Sequence, residues 1–185
     1  MRIDQLKKNY DIHVRWVAFP LHPETPDEGI TLEELFAGKR IDIKKAAARL
    51  KQVADELGLP LGERKKTYNS RLAQELAKWA ESEGRGDAFH EAVFRAYFTD
   101  GENIGGIEQL VALAKSVGLP GNEARSVLES RTFRKTVDSD WERSRALGIT
   151  GVPTFMVDGQ ATVGFQSYDE LERFLKSYGV KKRRQ

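Results

Sequence analysis

Few residues in this chain have the type and spacing to do chemistry, and the first is conspicuous by its absence. None of the 185 residues is cysteine, so thiolate nucleophiles, disulfides and cysteine-ligated metals are excluded within them. His13, His22 and His90 are too scattered for a zinc site, and no Asp or Glu sits beside them at ligand spacing. His90 follows Phe89 on an aromatic stripe and reads as a helix-face residue. Gly101-Glu102-Asn103-Ile104-Gly105-Gly106 is glycine-rich but lacks the Gly-Lys-Ser/Thr of a phosphate loop and any preceding strand; it reads as an interhelical loop. What remains is a backbone motif, Gly148-Ile149-Thr150-Gly151-Val152-Pro153-Thr154-Phe155-Met156-Val157-Asp158-Gly159. A glycine-rich turn delivers a proline to the mouth of a β-branched and aromatic run. That run closes at Asp-Gly, a strong hairpin signal, with Ala161-Thr162-Val163-Gly164 as the returning partner. Val152-Pro153 is a candidate cis bond, although the pattern by itself favours trans, since only about 5–6% of X-Pro bonds in folded proteins are cis.

Composition bounds the rest. With 39% hydrophobic and 31% charged residues the chain reads as globular. It has no apolar run long enough to span a bilayer and no signal-type apolar stretch near Met1, so the expectation is a cytoplasmic protein with no membrane partner. The net charge is +2, and Lys181-Lys182-Arg183-Arg184 carries four of the positive charges, so the remainder sums to −2. That distribution, with no basic patch around Trp16, Trp79 or Trp141, argues against nucleic acid as a partner.

The elements that must position the motif follow from periodicity. Residues 2–9 look like one or two helical turns. Residues 12–19 alternate apolar and polar, as in a strand with one buried face. Pro20 to Pro26 is a fixed extended connection. From about 31 to 130 nearly everything reads helical. Thr31 and Glu34 have capping-box spacing. Ile43, Ala46, Ala47, Leu50, Val53, Ala54 and Leu57 form one stripe, stopped by Gly58. Leu72, Ala73, Leu76, Ala77 and Ala80 form a second, capped by Asn69 or Ser70. Phe89, Val93, Phe94, Tyr97 and Phe98 form an aromatic third. Further helices span 107–117, about 121–129 and about 132–147, and Ser167 with Glu170 opens the last. The strands lie at the two ends of the chain and are expected to meet in one sheet.

These residues carry a family resemblance. Gly151-Val152-Pro153-Thr154-Phe155 with its hairpin, Val163-Gly164-Phe165-Gln166 and the terminal helix resemble the closing half of DsbA-like thioredoxin-fold proteins, the FrnE-like branch above all. Trp16 to Phe19 running into Leu21-His22-Pro23-Glu24-Thr25-Pro26, Tyr68-Asn69-Ser70-Arg71-Leu72-Ala73, and Phe89 to Phe98 are similar to the same branch in the same order. The resemblance implies an α/β, thioredoxin-like fold over residues 1–30 and 131–185, with a large all-helical insertion at 31–130. It also makes the Val152-Pro153 bond cis. Family members begin with a strand and a Cys-x-x-Cys at the first helix; here Met1 falls where that helix is nearly finished. The missing strand lies centrally in a thioredoxin sheet, between 12–19 and 153–157. Three outcomes are therefore open: a homodimer completing the sheet, pairing of the two strands across the gap, or a poorly stable chain.

In the family, thiol–disulfide exchange uses a thiolate beside the proline, and the residue before the proline offers its backbone to an extended substrate. Carried over by position, Val152 is that contact, with Gly151, Pro153 and Thr154 around it, and the expected partner is an extended peptide or thiol substrate. No residue is assigned a catalytic role, no metal or resident cofactor is implied, and the chain is expected to be redox-inactive. Two alternatives stand beside this. One is a glutathione-dependent isomerase or transferase, resembling the kappa-class glutathione transferases and chromene-carboxylate isomerases, with glutathione as cofactor and Asn69 and Ser70 as polar contacts, although helix capping is favoured for that pair. The other is a non-catalytic peptide-binding or chaperone-like module.

Overall fold

The computed structural model describes residues 2–38 and 41–183. The described residues fall into two compact units, one made of the chain up to Leu21 together with everything from Asp140 on, the other of His22–Ser139. Among these residues, no helix is long and apolar enough to cross a membrane.

The second unit is helical. β1 (Ile30–Thr31) leads into a single turn, α2 (Leu32–Leu35), which Thr31 and Glu34 close with a reciprocal capping box. α3 (Ile43–Glu56) follows, and then β2 (Lys66–Thr67), which pairs antiparallel with β1 so that Ile30 faces Thr67. α4 (Arg71–Ser82), α5 (Gly86–Phe98), α6 (Ile107–Ser116) and α7 (Gly121–Ser130) make the core. Their apolar stripes meet: Leu76, Ala80, Phe89, Leu110, Ala114 and Ala124 are fully buried. Between α3 and α4, Gly62 donates its N–H to Phe98 O at 2.9 Å, and a Cβ there would come within 2.0 Å of Thr99 O, so only glycine admits this approach.

Residues 22–30 belong to this unit because polar contacts hold them there. Asn69 Nδ2 donates to Thr25 O at 2.8 Å and Asn103 Nδ2 to Asp27 O at 2.9 Å. α8 (Arg134–Ala146) is divided, its first turn and a half belonging here. Arg71 donates from Nε to the buried Glu75 at 2.6 Å and from Nη2 to Asp138 at 2.6 Å, while Arg131 grips Glu75 from the other side.

The stripe of α3 is largely uncovered: Ala54 alone is buried, Ile43 and Val53 are half-buried, and Ala46, Ala47, Leu50 and Leu57 are exposed. Helices α4 to α7 already cover one another's stripes, so the bundle closes without α3.

The first unit holds α1 (Arg2–Asn9), the later turns of α8, β3 (Thr154–Val157), β4 (Gln160–Val163) and α9 (Tyr168–Ser177). Ser167 and Glu170 form the capping box of α9. Its core is Leu6, Tyr10, Leu171 and Leu175, with Ile12, Phe155 and Val157 packed against it. The buried Tyr10 hydroxyl donates to Glu172 at 2.7 Å.

The single sheet expected from the two chain ends does not form among the described residues. β3 pairs only with β4, β1 only with β2, and residues 12–19 enter no ladder. Burial still alternates residue by residue from Asp11 to Ala18, so the segment is extended with one face inward. A ladder needs a neighbouring strand about 4.8 Å away with matching donors and acceptors. Here the segment is held instead by a side chain, the buried Asp140, which accepts from Ala18 N at 2.9 Å and from Arg15 Nη2 at 3.3 Å.

Candidate functional site

The hairpin fixes the geometry of the motif by parity. Asp158 and Gly159 both adopt positive φ, 49° and 79°, and close a two-residue turn between Val157 and Gln160. In an antiparallel pair with such a turn, hydrogen-bonded and non-hydrogen-bonded pairs alternate from the closing pair outward. Val157 and Phe155 therefore turn their backbone groups to β4, and so does the next position, Pro153, whose carbonyl accepts from Gly164 N at 2.8 Å. Thr154 and Met156 turn theirs the other way, to the edge that no described strand covers. Proline at 153 costs the ladder only one donor, at its last rung.

Val152 lies beyond the last rung, outside the strand. It is 46% exposed, and among the described residues neither its N–H nor its C=O has a hydrogen-bond partner. The turn holding it is pinned from both sides. Ile149 N donates to Ser144 O at 3.0 Å, and Thr154 Oγ1 donates to Gly151 O at 2.6 Å. The Val152–Pro153 peptide is cis. Gly151 is half-buried, and Pro153 is exposed.

Asn69 and Ser70 lie in the other unit and are described there. Asn69 spends its side chain on its own chain: Nδ2 donates to Thr25 O, and Oδ1 accepts from Arg71 N at 2.9 Å, so the first free N–H of α4 is satisfied by the residue before the cap. Ser70, the cap by position, makes no capping bond; its Oγ accepts from Gln74 Nε2 at 3.1 Å.

His90 stacks on Phe94 with ring centroids 4.6 Å apart, and burial holds its imidazole below the usual range despite the nearby Asp87. His13 is exposed and His22 half-buried. Among the described residues no three His, Asp or Glu side chains are placed to hold a metal ion. A cleft where α6 meets α7 is bordered by Glu108, Lys115, Gly121 and Arg125, with Arg125 bound to Glu108 at 2.6 Å; it contains no residue of the motif.

Two contributors escaped the sequence reading. Met156 presents backbone to the open edge, and counting back by twos from Asp158-Gly159 would have found it. Asp140 holds the extended segment, and a buried acid in a polar helix carries no local signal.

Comparison with known proteins adds to this geometry. The model of the DSBA-like thioredoxin domain matches residues 1–176. The chain is 27% identical over 181 residues to YwbO of Bacillus subtilis (strain 168), an uncharacterized protein, with 95% of this chain and 86% of that one covered. Among solved structures it is similar to a probable DsbA oxidoreductase from Streptomyces coelicolor, with TM-score 0.76 and 25% identity over 89% of this chain and 75% of the other. It is also similar to a 2-hydroxychromene-2-carboxylate isomerase, with TM-score 0.71 and 20% identity over 96% of this chain and 85% of that one, which is a likeness of fold.

Proposed function

Since the chain belongs to the DSBA-like thioredoxin domain family, with a thioredoxin-like α/β fold in which helices dominate, we propose that it binds extended peptide along the open edge of β3 without redox chemistry of its own. The observation that carries this reading is the exposed Val152, whose backbone has no hydrogen-bond partner among the described residues, at the head of the edge that Thr154 and Met156 leave open. An extended chain laid along this edge adds a strand. Its N–H and C=O groups meet those of Val152, Thr154 and Met156, each bond contributing a net ~1 kcal/mol. Pro153 bounds the edge with its exposed ring, and the Thr154 hydroxyl holds the turn through its bond to Gly151 O. Disulfide exchange begins with attack by a thiolate, and these 185 residues contain no cysteine to supply one. The compartment that fits this reading is the cytoplasm, where partner thiols remain reduced.

The test has two arms on the purified chain. In the first, turnover of a disulfide substrate such as insulin, with dithiothreitol as reductant, is expected to run at the uncatalysed rate. In the second, a cysteine-containing extended hexapeptide is titrated into labelled protein, and the amides of Val152, Thr154 and Met156 are expected to shift together. Catalysed turnover overturns the non-redox reading. Shifts confined to other residues overturn the edge, and activity that appears only with reduced glutathione moves the assignment to glutathione-dependent chemistry.

A further inference from the structure

The uncovered face of α3 has a feature that a solvated helix does not call for. Ile43, Ala46, Ala47, Leu50, Val53, Ala54 and Leu57 recur at helical spacing over 14 residues, a stripe ~21 Å long at 1.5 Å per residue. Leu50 is 51% and Leu57 43% exposed, and Ile41 and Leu59, just beyond each end, are 45% exposed. In the same unit the stripe of α4 is buried.

The charges of α3 run against its own dipole. The positive end of a helix favours acids and the negative end bases. Here the first turn holds Lys44 and Lys45 and no acid, while the last turn holds Asp55 and Glu56 and no base. The helix starts on the Asp42 carboxylate, which accepts from Lys45 N at 2.9 Å. The order of charges therefore costs the isolated helix at both ends. It becomes favourable beside a helix carrying the same order in the opposite direction.

We propose that α3 is a self-association surface, which pairs antiparallel with α3 of a second copy of this chain about a two-fold axis at Leu50. An antiparallel two-fold sets each flank of the stripe against the same flank of the partner. Lys44 and Asp55 lie on one flank at helical spacing, Lys45 and Glu56 on the other. With the axis at Leu50, Lys44 faces Asp55 of the second copy, Lys45 faces its Glu56, and the two Leu50 side chains meet; Arg49 and Lys51, beside Leu50, then meet their own copies, two like-charge contacts against four opposite-charge ones. The exposed Ala46 and Ala47 let the backbones approach. A parallel pair would set lysine against lysine. Lys51 bonds Asp55 at 3.1 Å and Gln52 bonds Glu56 at 2.9 Å within the helix, but both contacts are exposed and yield readily to a cross-helix partner. One four-turn helix pair buries less than the roughly 1,200 Å² of a standard interface, so the dimer is weak and concentration-dependent.

Sedimentation velocity of the whole chain over a concentration series tests this, with circular dichroism confirming that each variant folds. The wild type is expected to self-associate, less so as salt rises. Leu50→Glu should abolish association. The double variants Lys44→Glu/Lys45→Glu and Asp55→Lys/Glu56→Lys should each weaken it about tenfold or more. Mixed in equal amounts they should associate again as a heterodimer, since one then carries acids at both ends of α3 and the other bases. A wild type that stays monomeric up to ~1 mM, a range that covers weak interfaces, overturns the proposal. A dimer that persists in folded Leu50→Glu also overturns it and places association elsewhere, as does a mixture of the two double variants that stays monomeric.

Discussion

Gly164 N donates to Pro153 O at 2.8 Å, so the carbonyl of Pro153 faces β4. The alternation of a strand then turns the groups of the next residue, Thr154, outward. The open edge at Thr154 and Met156 follows from that rung and from the two-residue turn at its other end, and Val152, across the cis bond, stands at its head with no hydrogen-bond partner for its backbone among the described residues.

The edge can be blocked without touching the ladder. Met156 sits at a non-hydrogen-bonded pair with Ala161, so Met156→Pro deletes an outward N–H while the bonds of Phe155 to Thr162 remain. Peptide affinity measured by calorimetry is expected to fall about fivefold, the worth of roughly 1 kcal/mol. Unchanged affinity, with the hairpin intact by NMR, would show that the peptide does not use this edge.

Asp140 is the anchor of residues 15–18. Asp140→Ala leaves the Ala18 N–H without its acceptor and Arg15 without its carboxylate. A loss of about 1–3 kcal/mol is expected in urea unfolding. In hydrogen exchange, the Ala18 amide should lose protection before the amides of α9 do.

Glu75 is 1% exposed, and Arg131 meets it with two hydrogen bonds of 2.7 Å while Arg71 adds a third. Burial alone would push this carboxyl up; the bonds from Arg131 and Arg71 outweigh it and hold it below the usual range. Glu75→Gln leaves two guanidinium groups short of a charge and should destabilise the helical unit by about 3 kcal/mol. A shift in urea midpoint worth less than ~1 kcal/mol, the scale of an exposed pair, would show that the network is solvated.

Glu172 gives the chain an acid limb. Hydrogen bonds from Lys176 and Tyr10 hold its carboxyl at about 2, against an ordinary value of 4.5. A carboxyl depressed on folding stabilises the protein above its unfolded value, and that stabilisation fades as pH falls toward the folded value. The difference in stability between wild type and Glu172→Gln should therefore shrink as pH is lowered from about 5 to about 2. A difference constant across that window would mean that Glu172 does not ionise differently on folding.

Much of this molecule follows from sequence because the physics involved is local. Thr31 with Glu34 and Ser167 with Glu170 form capping boxes from residues three apart. Asp158-Gly159 adopts the positive φ of a hairpin turn because these residue types tolerate it. The stripe of α4 lies in the core of the bundle, as do Phe89, Val93 and Tyr97 of the α5 stripe, whereas Phe94 is exposed. The absence of cysteine needs no structure to read.

Tertiary structure alone decided the rest. The alternation at 12–19 states that one face is inward but cannot state what pairs with the backbone, since that depends on a strand distant in sequence. The stripe of α3 has the same periodicity as that of α4, yet one is exposed and the other buried, because periodicity records a face and not what covers it. Asp140 and Arg15 lie far apart in the chain, and only folding makes them a pair. Asn69 and Ser70 look alike as caps, and the position of the Arg71 N–H and of the Thr25 carbonyl chose Asn69. A local pattern specifies what a segment offers; its partners are specified by the whole chain.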